Sequence, residues 1–136
     1  MVSLQAEDET SMAKPNLKQL NGMMWVSSVP AAIEFYSKNL GFEPGFTCEE
    51  DGEVTFAIVS RDGIELHLRV CICEDGRHTG NTFLGIEVAD GIKLLCDEYS
   101  AADVEFVRCL TEEDWGKSFT IADPDKNWLL FTQYSD

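Results

Sequence analysis

Apolar side chains recur along this chain with two periods. From Pro30 to Asn39 the period is helical, with Ile33, Tyr36 and Leu40 on one face. Pro30 suits the first helical position, where no amide hydrogen bond is lost, and Gly41 supplies the stop. The same period returns from Gly91 to Tyr99 through Ile92, Leu95, Cys96 and Tyr99, with Asp90 placed as N-cap. The other patterned segments alternate with period two and predict strands. Leu20–Ser27 precedes the first helix, and Phe46–Cys48, Val54–Ser60 and Ile64–Cys73 follow it, with Arg61-Asp62-Gly63 as a hairpin turn. Thr82–Val88 precedes the second helix, and Val104–Cys109, Ser118–Ala122 and Trp128–Thr132 follow.

Strand-helix-strand-strand-strand therefore occurs twice. The expected fold class is α+β: two βαβββ modules in tandem, residues 18–75 and 82–134, forming a cupped, partly open mixed sheet around a cleft. Residues 76–81 form the joint, and the polar residues 1–17 are expected to be a mobile tail. The halves share an order of elements but no visible sequence repeat. One helix covers one face of a four-stranded sheet, so each module keeps an open face, and two open faces can border a shared cleft. Within Ile64–Val70 the apolar set belongs under the helix, which turns Glu65, His67 and Arg69 to the open face. A charged triplet there reads equally as a solvated surface with a Glu–Arg pair or as part of a binding site.

Charge narrows the partners. Asp and Glu number 25 against 10 Lys and Arg, a net charge of −15, while 44% of residues are hydrophobic, enough for a packed core. An acidic body disfavours nucleic acid and anionic membranes and permits a cationic or metal-bearing partner. No stretch reaches the roughly 20 apolar residues of a membrane span. The N-terminal residues lack a basic n-region and an apolar h-region, so a cytoplasmic location is expected. Five cysteines without disulfide spacing are expected to be buried and reduced, and Cys71 and Cys73, on opposite faces of one strand, make a poor chelate. No nucleophile-elbow or Cys–His motif is present.

Three stretches carry a resemblance: Ala32-Ile33-Glu34-Phe35-Tyr36-Ser37-Lys38-Asn39-Leu40-Gly41-Phe42, Asp62-Gly63-Ile64-Glu65-Leu66-His67-Leu68, and Trp115-Gly116 followed by Phe119-Thr120-Ile121-Ala122-Asp123-Pro124-Asp125. In this order and spacing they resemble the vicinal oxygen chelate superfamily of glyoxalases, bleomycin-resistance proteins and dioxygenases, over residues 18–134. Asp123-Pro124-Asp125 also makes sense alone as a turn, and Lys126 departs from the family's usual glycine. The resemblance implies a divalent metal held by one ligand from each of four cleft-facing strands. Those positions fall at Asn21, Glu65, Phe83 and Leu130, and only Glu65 retains a strong ligand.

The same register lines the inner face with Met23, Trp25, Phe83, Trp128 and Leu130, with Trp115 on the loop entering the seventh strand and Glu65 and Glu87 adding charge. Aromatic walls with carboxylates suit a flat cationic molecule. The resemblance is therefore to the metal-free bleomycin-resistance-type members, which sequester an antibiotic without altering it. It implies a small-molecule ligand, no catalytic residues and no cofactor, and the candidate ligand-binding residues are Trp25, Glu65, His67, Arg69, Phe83, Glu87, Trp115 and Trp128. It also implies a homodimer, and the joint permits module exchange between chains. An alternative is a lyase, isomerase or dioxygenase with one divalent metal displaced to Glu65 and His67. A third is a regulatory or scaffold module whose cleft has closed around its own side chains.

Overall fold

Ser28 starts the first helix: its backbone is extended and its hydroxyl accepts from the Ala31 amide at 3.3 Å. In the computed structural model, which describes residues 14–70 and 78–136, helix α1 runs Val29–Lys38. Pro30 thus sits one residue inside the start expected for it, still within the first turn, where it removes no hydrogen bond. Helix α2 runs Ile92–Ala101, and its N-cap is Gly91 rather than Asp90. Gly91 holds φ at 83°, a left-handed conformation that glycine adopts without strain. The cap comes from far along the chain, where the Gln133 Oε1 accepts from the Ile92 amide at 2.9 Å. No local pattern could show that partner.

The α+β architecture is as expected. Strands β1 (Gly22–Val26), β2 (Glu43–Glu50), β3 (Glu53–Arg61) and β4 (Ile64–Val70) form one sheet in the order β1-β4-β3-β2. Strands β5 (Phe83–Glu87), β6 (Glu105–Glu113), β7 (Gly116–Ala122) and β8 (Trp128–Tyr134) form a second in the order β5-β8-β7-β6. In each sheet the first strand runs parallel to the last and the other pairings are antiparallel. The edge strands β2 and β6 are longer than predicted and carry register shifts that blur their alternation. Cys48 on β2 and Cys109 on β6 are consequently exposed, contrary to the expectation of buried thiols. Cys71, Cys73, residues 1–13 of the tail and residues 76–77 of the joint lie outside the described residues.

Each helix covers one face of its own sheet, and the two halves share one core. Met24, Val26, Leu66, Leu68 and Val59 of the first half are contiguous with Phe119, Ile121, Leu129 and Phe131 of the second. Ile64 departs from the pattern: it stands 42% exposed at the start of β4. The eighth residue of each helix is a buried tyrosine that reaches across the chain. The Tyr99 hydroxyl donates to the Leu40 carbonyl at 3.0 Å, and the Tyr36 hydroxyl donates to Asp123 Oδ2 at 2.9 Å.

Asp123 is 2% exposed and fully engaged. Its Oδ1 accepts from the amides of Asp125 and Asn127 at 2.9 and 2.8 Å, and its Oδ2 also accepts from Asn127 Nδ2 at 3.1 Å. Asn127 is wholly buried; its Nδ2 also donates to the Trp25 carbonyl at 3.0 Å, while its Oδ1 accepts from the Thr82 amide at 3.0 Å. Asp125 Oδ2 accepts from the Ser27 amide at 3.0 Å. The segment that reads as a simple turn thus ties the second module to the first. Lys126, where the family has glycine, holds φ at 71° and pairs with Glu105 at 2.7 Å.

Two outcomes are expected. Tyr36→Phe removes a hydrogen bond to a buried carboxylate and should lower unfolding free energy by about 2 kcal/mol in urea denaturation. The second concerns pH. Burial pushes the Asp123 carboxyl above its ordinary value of 3.8, against hydrogen bonds from Asn127 and Tyr36 that hold it down. The folded chain therefore binds this proton more tightly than the unfolded chain, so ionisation costs stability above the folded pKa and the cost is relieved as pH falls through it. Relative to Asp123→Asn, the parent should gain stability between neutral pH and about pH 4; a gap that is flat or shrinks would contradict this.

Candidate functional site

The helix-free face of the first sheet follows from register. Met23 lies opposite His67 and Trp25 opposite Arg69 on β1 and β4, and on β3 Ile58 and Phe56 stand opposite the same two residues. Phe56 is the centre of a cluster. Its ring meets Phe46 at 6.1 Å and His67 at 5.4 Å, both edge to face, and the Arg69 guanidinium lies over it at 5.5 Å. Phe46, on the edge strand, remains 61% exposed. Phe46 and Phe56 were not among the expected site residues; alternation alone gives a residue's face but not its cross-strand neighbour.

His67 is the one side chain of this cluster with unmet chemistry. Its Nε2 is buried without a hydrogen-bond partner, and the Glu65 carboxylate stands 3.9 Å away, too far for a hydrogen bond. An unpaired buried nitrogen costs stability, and such groups in native structures call for an explanation.

On the second sheet, Phe83 and Trp128 are cross-strand partners and meet edge to face at 6.0 Å. They are 61% and 43% exposed, so neither is packed between the modules and this face has not closed on itself. Leu130 lies opposite Gly85 on the same face. Trp115 pairs instead with Tyr134 at 5.9 Å, at the far end of β8 from Trp128, roughly 20 Å along the strand. Glu87 is four residues beyond Phe83 on β5 and borders a cavity near α2. The structure thus gathers Trp25, Glu65, His67 and Arg69 on one face and Phe83 and Trp128 on the other, and leaves Trp115 and Glu87 away from that pair.

The two faces are fixed relative to each other by the Asp123–Asn127 turn, since Asn127 holds the Trp25 carbonyl and immediately precedes Trp128. Cavities of about 600, 480 and 520 Å³ indent the surface; Glu87 lines the first and Glu65 the third, and none of the three is lined by Trp25, Trp115 or Trp128. In one chain the aromatic faces are open surfaces.

The family's metal does not fit these residues. Phe83 and Leu130, at two of the four ligand positions that the resemblance implies, have no lone pair to offer, and Asn21 is a weak ligand. Among the described residues, no group of three His, Cys, Asp or Glu is placed to hold a metal ion. Also among the described residues, no helix is long and apolar enough to cross a membrane.

Comparison with known proteins gives a family match. The model of the Glyoxalase/Bleomycin resistance protein/Dioxygenase superfamily matches residues 18–131. No curated protein sequence matches significantly. Among solved structures, the bleomycin-binding protein from bleomycin-producing Streptomyces verticillus, complexed with copper(II)-bleomycin, is similar at TM-score 0.70 and 27% identity, covering 90% of this chain and 100% of that one. TnmS3, an antibiotic binding protein from Streptomyces sp. CB03234, is similar at 0.70 and 20% identity, covering 92% and 100%. A superfamily member from Sphaerobacter thermophilus DSM 20745 is similar at 0.70 and 22%, covering 87% and 98%. At the latter two identities the likeness is one of fold.

Unmet chemistry at His67 has a measurable signature. His67→Phe keeps the edge-to-face contact with Phe56 and removes the unpaired nitrogen, so it should leave stability unchanged or raise it by about 1 kcal/mol in urea denaturation. A loss of that size would show that the imidazole serves the fold.

Proposed function

The chain belongs to the glyoxalase/bleomycin resistance protein/dioxygenase superfamily, and on that premise we propose that it binds a small, flat aromatic molecule bearing positive charge on the open faces of its sheets, without transforming it. The observation that carries this reading is the exposed Phe83–Trp128 pair; the resemblance also implies a metal-ligand position at Phe83. A half-exposed aromatic pair on a sheet face offers stacking area for a planar ligand and nothing to a metal ion. The net charge of −15 steers a cation toward the protein. Arg69 already lies over Phe56, and Phe46, Phe83 and Trp128 keep exposed ring surface. The likeness to a bleomycin-binding protein at 27% identity supports the same class of ligand.

The reading includes a homodimer. Met23, Phe46, Phe83, Val107, Trp115, Trp128 and Tyr134 are large apolar side chains left exposed, and every residue of β2 is exposed. Large apolar side chains left exposed in this number support an interaction surface. A second chain laid against these faces would convert open surfaces into walled clefts, with or without exchange of modules.

Tryptophan fluorescence titration with copper-free and copper(II)-loaded bleomycin, and with other planar cationic antibiotics, tests the proposal. At least one is expected to give saturable quenching with unchanged ligand on recovery, and Trp128→Ala should weaken it about tenfold, or 1.4 kcal/mol. Light scattering should give twice the chain mass. Absence of binding across the panel, or chemical conversion of the bound ligand, would contradict the reading.

A further inference from the structure

The two halves differ where each helix begins. In the first half, the space between the end of β1, α1 and the neighbouring turn is filled by Asp123–Asn127, through the bonds to Ser27, Trp25 and Tyr36. The counterpart turn facing α2 is the first half's β3–β4 hairpin, Asp62-Gly63, shorter by three residues. Its contact with α2 is made from its base, where Arg61 pairs with Glu98. What remains between that hairpin, the end of β5 and α2 is a cavity of about 600 Å³.

Its lining has two characters. Phe42, Tyr99 and Phe131 are buried core side chains that reach its floor, and Ile64 and Leu94, 42% and 74% exposed, stand among the residues around it. The ionisable lining residues comprise one cation, Arg61, against four carboxylates, Asp62, Glu87, Asp90 and Glu98. Arg61 is already committed: its two terminal nitrogens donate to both Glu98 oxygens at 2.7 and 3.0 Å, Nη1 also donates to the Leu40 carbonyl, and Nε lies 3.9 Å from Asp62. Hydrophobic depth beneath an uncompensated acidic rim selects a molecule with an apolar body and a positive head.

We propose that this cavity is a second binding site, separate from the aromatic faces, for a small lipophilic ammonium ion. The hydrocarbon body enters against Phe42 and Phe131, and the ammonium stays at the half-open mouth among the carboxylates. This site depends neither on the identity of any ligand of the aromatic faces nor on the dimer.

Methyl-resolved NMR titration of the full chain with 4-phenylbutylammonium, 4-phenylbutanol and 4-phenylbutyrate tests it with one body and three charges. Saturable shifts at Ile64, Ile86, Leu94 and Leu95 are expected, with the ammonium binding most tightly, the carboxylate least, and the preference shrinking with salt. The double variant Asp62→Asn/Asp90→Asn, whose Asn tolerates the φ of 52° at position 62, should weaken the ammonium about tenfold and leave the alcohol within about twofold. Indole signals of Trp25 and Trp128 should not move. No saturable binding, equal affinity for all three probes, or shifts of the same methyls on raising protein concentration alone would overturn the proposal, the last by showing that a second chain covers the cavity.

Discussion

One buried carboxylate joins the halves of this molecule. Asp123 accepts hydrogen bonds from α1 through Tyr36 and from its own turn through Asp125 and Asn127, while Asn127 reaches back to the Trp25 carbonyl and across to Thr82. Burying a charge is costly unless its hydrogen bonds are all made, and such a network tolerates only one arrangement of its members. The consequence reaches the surface. Trp25 ends one aromatic face and Trp128 begins the other, and the same asparagine holds the first and precedes the second. The geometry on which ligand recognition rests is therefore set from inside, by polar contacts that touch no ligand.

The same topology used twice does not give the same structure twice. Tyr36 and Tyr99 occupy the same position in their helices, yet one meets a carboxylate and the other a backbone carbonyl. A turn of five residues fills the space beside α1, and a turn of two leaves the space beside α2 hollow. Arg61 and Glu98 bridge the hollow side with an ion pair, 28% and 45% exposed at the side chain, where the other side has a buried network. Buried hydrogen bonds are concentrated on one side of the pseudo-symmetric pair and open volume on the other.

Much of this was legible in the sequence, because period and face are local properties. Alternation in β4 put Leu66 and Leu68 in the core and His67 and Arg69 on the other face, and the helical spacing located both helices to within two residues. What the sequence hid was every partner that lies far along the chain. Asp123-Pro124-Asp125 satisfies the rules for a turn by itself, so nothing local pointed to Tyr36 or Trp25. Gln133 caps α2 from another strand, which made Asp90 look like the cap. Phe56 meets His67 across the regular β3–β4 pairing, and Phe46 joins them through a β2–β3 register disturbed by a bulge. Trp115, read as a loop residue at the entry to the seventh strand, packs on Tyr134, at the other end of β8 from Trp128.

The central claim is that a planar ligand stacks on the aromatic face where Phe83 and Trp128 meet. Intermolecular nuclear Overhauser effects between the aromatic protons of a bound planar cation and assigned indole protons test it directly. The account predicts cross-peaks to Trp128 and Phe83. Saturable binding with cross-peaks only to Trp115 and Tyr134, or to the methyls of Leu94 and Ile64, would place the ligand elsewhere and contradict it.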